Sequence, residues 1–155
     1  EEFLPSLENE FVQKVREYAV QEGNTVVSLC AKIEEEIAQL SLEESKEFLE
    51  SLGLSESGLS RLVKASFSLL ELITYLTTGE METRAWTIKR GTPAQEAAGE
   101  IHSDLQKGFI RAEVVSFEDM VTYNGRVGAR EHGKARAEGK EYTVKDGDVI
   151  LFFHN

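Results

Sequence analysis

Thr83-Arg84-Ala85-Trp86-Thr87-Ile88-Lys89-Arg90-Gly91-Thr92-Pro93-Ala94 is the stretch on which the fold turns. Thr83 to Ile88 is rich in β-branched and aromatic residues, which suit a pleated, half-buried surface. Lys89-Arg90-Gly91 closes that run, and Thr92-Pro93 opens a helix, since a proline near the first helical position gives up no needed N–H. Ala94, Ala97, Ala98, Ile101 and Leu105 then recur at helical spacing until Gly108. Phe109 to Val115 alternates as a second strand. Phe117 to Val121 continues as a short segment before a Tyr123-Asn124-Gly125 turn, and Val127 to Ala137 is helical or looped. Lys140 to Val144 and Asp148 to Phe153 read as two closing strands around a Lys145-Asp146-Gly147 turn. One helix among several strands predicts a small α+β domain with the helix on one face of a mixed sheet.

Working outward, the N-terminal half reads as mainly helical. Phe11, Val12, Val15, Tyr18 and Ala19 share helical spacing, and Gly23-Asn24 supplies a stop. Thr25 to Ala31 is a mostly apolar, β-rich run, as in a buried parallel strand. Ile33, Ile37 and Leu40 predict a helix with Glu34, Glu35 and Glu36 near its positive end. Ser41-Leu42-Glu43-Glu44 has the spacing of a capped helix start, with Phe48, Leu49 and Leu52 as its stripe before Gly53. Ser57 or Ser55 caps a longer helix through Leu59, Leu62, Val63, Phe67, Leu70 and Ile73, ending at Thr77-Thr78-Gly79. A lone strand leaves its backbone donors and acceptors unpaired, so this half is expected to be a piece of something larger.

Charge divides the chain at the same place. Residues 1–80 carry 16 acidic and 6 basic side chains, whereas residues 81–155 carry 12 and 11. The expected domains are therefore 1–80 and 81–155. The net charge of −11 argues against general attraction to nucleic acid, yet the near-neutral C-terminal part has room for a local basic face. No apolar run is long enough to span a membrane, and no basic segment leads into an apolar stretch near the N-terminus. With Cys30 as its single cysteine, the chain has no internal disulfide to form, and a reducing cytoplasmic setting is expected. His102, His132 and His154 lack neighbours at ligand spacing and read as surface or helix-terminal residues, so no metal site and no catalytic group are expected.

Arg84-Ala85-Trp86-Thr87-Ile88, Ala97 to Asp104, Lys107 to Glu113 and Gly139 to Asp148 occur in an order that resembles the C-terminal region of the Obg-like ATPase (YchF) family. That resemblance implies a TGS domain, a β-grasp fold, over the C-terminal part. Val26 to Glu34 is similar to the strand and loop carrying the family's fifth nucleotide motif, with Cys30-Ala31 where many members have Ser-Ala. The resemblance therefore implies that residues 1–80 are the edge of an incomplete α/β P-loop NTPase domain, with Cys30, Ala31 and Lys32 at a purine-binding loop. Glu1 stands where the family's fourth motif would end. ATP, or GTP, with Mg²⁺ is implied for the intact parent, in a translation-linked or redox-linked role at the ribosome. No Gly-x-x-x-x-Gly-Lys-Ser/Thr occurs in the chain, so these residues alone are expected neither to cradle phosphates nor to hydrolyse nucleotide. Other β-grasp readings are a TGS module of a synthetase or stringent-response enzyme with no nucleotide role, and a ubiquitin-like carrier, which the Phe152-Phe153-His154-Asn155 sequence does not suit.

For a ribosomal partner, the large subunit or its RNA, the candidate contacts are Arg84, Lys89, Arg90, Lys107 and Arg111. They lie on or beside the first strand, the helix end and the second strand, elements expected to be neighbours. Trp86 or Phe109 would stack a base. Arg126, Arg130, Lys134, Arg136 and Lys140 form a second basic stretch in a Gly- and Ala-rich segment, and of these Arg130 and Lys134 are also candidate contacts. The same charges also suit a scattered solvated surface over an aromatic core.

Overall fold

The computed structural model describes residues 9–79 and 82–155, so the reading of Glu1 lies outside the described residues. The chain divides into two compact units, Glu1–Leu69 and Leu70–Asn155, a division that falls earlier than the expected 80/81 boundary.

The N-terminal unit contains four helices among its described residues: α1 (Glu10–Gln21), α2 (Ala31–Ile37), α3 (Leu42–Ser51) and α4 (Gly58–Leu69). The Asn9 side chain accepts hydrogen bonds from the Phe11 and Val12 amides and starts α1. Ser41 and Glu44 form the expected capping box on α3, with Ser41 Oγ accepting from the Glu44 amide and Glu44 Oε2 from the Ser41 amide. Those bonds hold the Glu44 carboxyl below its ordinary value. Gly53 ends this helix at φ 69°, a left-handed conformation that suits glycine. Ser57, rather than Ser55, caps α4 through the Ser60 amide. Glu34 makes a contact that a solvated acidic face does not suggest: its carboxylate accepts from the amides of Gly58 at 2.7 Å and Leu59 at 3.1 Å, the free donors of the first turn of α4.

The expected strand at Thr25 to Ala31 does not form, because residues 24–30 find no ladder partner among the described residues. A second correction concerns the end of α4. The helix stops at Leu69, and Leu72–Thr78 is a strand, β1, so Leu70 and Ile73 do not continue the helical stripe. Glu71, at φ 54°, turns the chain out of the helix, and Ile-Thr-Tyr-Leu-Thr-Thr then favours extended backbone.

The C-terminal unit is α+β. After β1 come β2 (Thr83–Lys89), α5 (Ala94–Ile101), α6 (Ser103–Lys107), β3 (Phe109–Ser116), α7 (Phe117–Thr122), α8 (Arg126–Glu131), β4 (Arg136–Glu138) and β5 (Asp148–His154). The expected helix from Ala94 to Leu105 is broken at His102, whose backbone is extended and whose Nδ1 accepts from the Asp104 amide to start α6. Lys140 to Val144 is not a strand. It touches the rest through an isolated bridge between Thr143 and Pro93, and the three-residue β4 takes the edge position instead.

The five strands are ordered β2-β1-β5-β3-β4. β1 runs antiparallel to β2 and parallel to β5, while β3 is antiparallel to both β4 and β5. Ile73, Tyr75, Ile88, Ala112, Val114 and Ile150 line one sheet face, against which α5 packs with Ala94 and Ala97. Alanine at these helix positions lets the backbones approach closely enough for the buried Tyr75 hydroxyl to donate to the Ala97 carbonyl at 2.8 Å. Burial pushes that phenol well above the ordinary tyrosine value.

Candidate nucleic-acid interface

Sheet order decides which basic residues stand together. β2 and β3 are not neighbours, contrary to expectation, because β1 and β5 lie between them. Pairing of Thr77 with Arg84 and of Leu72 with Lys89 puts Arg84 at the β1–β2 turn end and Lys89 and Arg90 at the opposite end. Arg111, paired with Phe153, lies at the same end of the sheet as Arg84, as does Lys107 just before β3. The five expected contacts are therefore split between two ends and two faces.

Side-chain alternation assigns the faces. Arg84 is on the face that carries α5, with its guanidinium carbon 4.2 Å from the centre of the Trp86 ring. Trp86 is half-buried against the core, and its indole N–H donates to Thr77 Oγ1 at 2.9 Å. Phe109, the other expected stacking residue, packs edge-on to Phe152 at 6.1 Å and belongs to the core margin.

The opposite face holds a different set. Arg111, Glu113 and Val115 of β3 stand beside Phe153, Leu151 and Val149 of β5. The Arg111 guanidinium sits over the Phe153 ring at 4.1 Å. Glu113 is 9% exposed and accepts from Arg130 at 2.9 and 3.0 Å and from Arg126 at 3.4 Å, both delivered by α8. Burial pushes the Glu113 carboxyl up, but hydrogen bonds and charge from Arg130, then Arg126, outweigh it and hold the group below the usual glutamate value. Arg126 also reaches Thr78 Oγ1 of β1, so α8 is pinned across three strands. Lys134 lies 3.8 Å from Asp119. Phe153 and Glu113 were not singled out from sequence; the period-two alternation of β3 and β5 carries the signal, once their register is known.

At the edge beyond β3, a cleft of about 420 Å³ is lined by Phe117, Glu118, Arg136, Lys145 and Asp148 among others. Asp148 is buried and accepts from the Tyr142 hydroxyl at 2.8 Å and the Lys145 amide at 2.9 Å. Burial, then the bond to Asp148, pushes the Tyr142 phenol up to about 12. Arg136 in this cleft is already bonded to Glu138 and Tyr142.

In the N-terminal unit, Cys30 is half-buried at the N-terminal boundary of α2, with no side-chain capping bond, and Ala31 and Lys32 are exposed in the first turn. Among the described residues no group of His, Cys, Asp or Glu is arranged to hold a metal ion, and no helix is long and apolar enough to cross a membrane.

Residues 72–155 match the family YchF-GTPase_C, described as a protein of unknown function (DUF933). The chain is 59% identical over 147 residues to a Bacillus subtilis protein named ribosome-binding ATPase YchF, and 54% identical over the same length to its Escherichia coli O157:H7 namesake. Each alignment covers 95% of this chain and 40% of the relative. The structure of the Schizosaccharomyces pombe YchF GTPase superposes with a TM-score of 0.82 at 32% identity, covering 95% of this chain and 39% of that one. The family match over residues 72–155 and the superposition agree, and the chain belongs to the YchF GTPase C-terminal family.

Proposed function

We propose that this chain is the C-terminal portion of a ribosome-associated, ATP-hydrolysing P-loop protein of the cytoplasm, acting as its binding or regulatory module. Residues 1–69, the helical part of the expected 1–80 domain, contribute the trailing edge of the nucleotide-binding domain. Residues 81–155, extended back to Leu70 by β1, form a TGS β-grasp module that contacts the large ribosomal subunit. The observation that carries this reading is the topology within residues 72–155: a hairpin, a helix across one face, and a last strand that runs parallel to the first at the sheet centre. Relatives named as ribosome-binding ATPases, similar along 95% of the chain, support it.

The residues present fit at most the purine end of a nucleotide, through Cys30, Ala31 and Lys32 at the start of α2. They do not fit its phosphates or Mg²⁺, for lack of a Gly-rich loop with its lysine and hydroxyl. ATP, or GTP, and Mg²⁺ thus belong to the longer protein, and this chain supplies no hydrolytic step.

Co-sedimentation with purified ribosomes tests the reading. The chain should pellet with ribosomes and with isolated large subunits at low salt, and should be released as salt rises. Failure to pellet at any ionic strength would overturn the binding role. Equilibrium dialysis against ATP should show no uptake by this chain; uptake would refute the assignment of phosphate binding to the longer protein.

A further inference from the structure

Resting on the ribosome-contact reading above, we propose that the sheet face opposite α5 binds an unpaired RNA strand, with Arg111 on Phe153 as a stacking platform and Arg130 as the adjacent phosphate contact. The platform is built by cross-strand pairing: Arg111 and Phe153 stand opposite each other, and the guanidinium sits 4.1 Å over the ring. A guanidinium resting on a ring presents a planar cation outward, and such a plane stacks on a nucleobase. One pleat repeat further along β3, about 7 Å, lies Glu113. Its carboxylate holds Arg130, whose side chain remains 58% exposed and keeps further N–H groups for an anion.

Charge complementarity fixes the occupant. This face and α8 bring Arg111, Arg126 and Arg130 together, with Glu113 holding the last two and Glu131 at the C-terminal end of α8, in a chain whose net charge is −11. Arg126, at 14% exposure, is spent on Glu113 and Thr78, so the outward cations are Arg111 and Arg130. Leu151, between them on β5 and 37% exposed, adds an apolar step on which a ribose or base edge rests. An acidic peptide would match the charge but would leave the stacking plane unused. Duplex RNA buries its base faces and cannot reach the plane.

Fluorescence anisotropy of the full chain with a labelled single-stranded RNA of about ten nucleotides is the test, with a duplex of the same length and a polyglutamate peptide as competitors. The single strand should bind more tightly than either competitor. Arg111→Gln should weaken it about tenfold through lost stacking and charge, and should reduce the slope of log K against log salt by about 0.7. Arg111→Lys should keep the slope and still weaken binding, because an ammonium has no plane to stack. Phe153→Leu should weaken binding like Arg111→Lys, and Lys145→Gln, before the opposite end of β5, should change nothing, with far-UV circular dichroism confirming that each variant is folded. Wild-type affinity in folded Arg111→Gln, an equal loss in Lys145→Gln, or displacement by polyglutamate as effective as by RNA would each overturn the proposal. A chain that pellets with ribosomes yet shows no Arg111-dependent RNA binding would sink this face while sparing the ribosome reading. Arg111-dependent RNA binding without ribosome pelleting would do the reverse.

Discussion

Glu113→Leu should destabilise the C-terminal unit by about 3 kcal/mol, the cost of breaking a largely buried ion pair from one side. The structure says which partner bears that cost. Arg130 is 58% exposed and can swing into water when the carboxylate goes, whereas Arg126 is 14% exposed and is left charged against the sheet. Arg130→Gln should therefore cost only about 1 kcal/mol, as for a solvent-screened pair. The double variant Glu113→Leu with Arg126→Leu should recover most of the loss, since an apolar replacement of similar volume no longer strands a charge. Because the Glu113 carboxyl is held below its unfolded value, about 4.3, its stabilising contribution is full above that pH. It is lost as pH falls through the folded value, so the gap between wild type and Arg130→Gln should narrow once pH drops below the unfolded value and close when the folded carboxyl is protonated. Urea denaturation followed by fluorescence reads this unit alone, because Trp86 is the only tryptophan. For a unit of this size the loss corresponds to a Tm lower by about 15 °C. A Glu113→Leu variant no less stable than Arg130→Gln, or a double variant no better than Glu113→Leu, would refute the reasoning.

Gly128→Ala should cost about 1–3 kcal/mol by overpacking, because a Cβ there runs into the Tyr123 carbonyl at the end of α7; urea midpoints measure it. Ser41→Ala should cost the N-terminal unit about 1 kcal/mol and should speed amide exchange at Glu44, which donates to Ser41 Oγ. Asp148→Asn should cost about 2 kcal/mol and lower the Tyr142 phenol from about 12, followed by ring chemical shifts against pH. A Tyr142 titration unmoved by that change would count against Asp148 as a cause of the shift.

Much of this arrangement was legible before any coordinates, and the misses have local causes. The Ser41 capping box and the Trp86 strand followed by the Pro93 helix were readable because each depends on residues a few positions apart. Leu70 and Ile73 misled because they fall at helical spacing after Phe67, while the positive φ of Glu71 breaks the helix without a glycine to mark it. Lys140 to Val144 looks extended, but β4 already occupies the edge of β3. The five basic residues do not stand together for a topological reason: chain order suggests that β2 and β3 are neighbours, and the insertion of β1 and β5 between them is non-local information. Glu113, flanked by apolar residues on an alternating strand, carried a hint of a buried partner, yet that partner lies 13 to 17 residues away on α8.

The position of β5 also bears on how the protein is made. β5 is the last strand of the sheet in chain order and fills the gap between β1 and β3, with Thr74 and Asp146 joined across 72 residues of sequence. Until it arrives, β1–β2 and β3–β4 are separate antiparallel pairs, each with an unpaired edge and an uncovered apolar side. During synthesis, at about 5–20 residues per second, the C-terminal unit must therefore wait unclosed while the helices before it have already left the exit tunnel. Ribosome stalling before Asp148 should leave nascent chains sensitive to protease within β1 to β3, and release of β5 should close the sheet in one step.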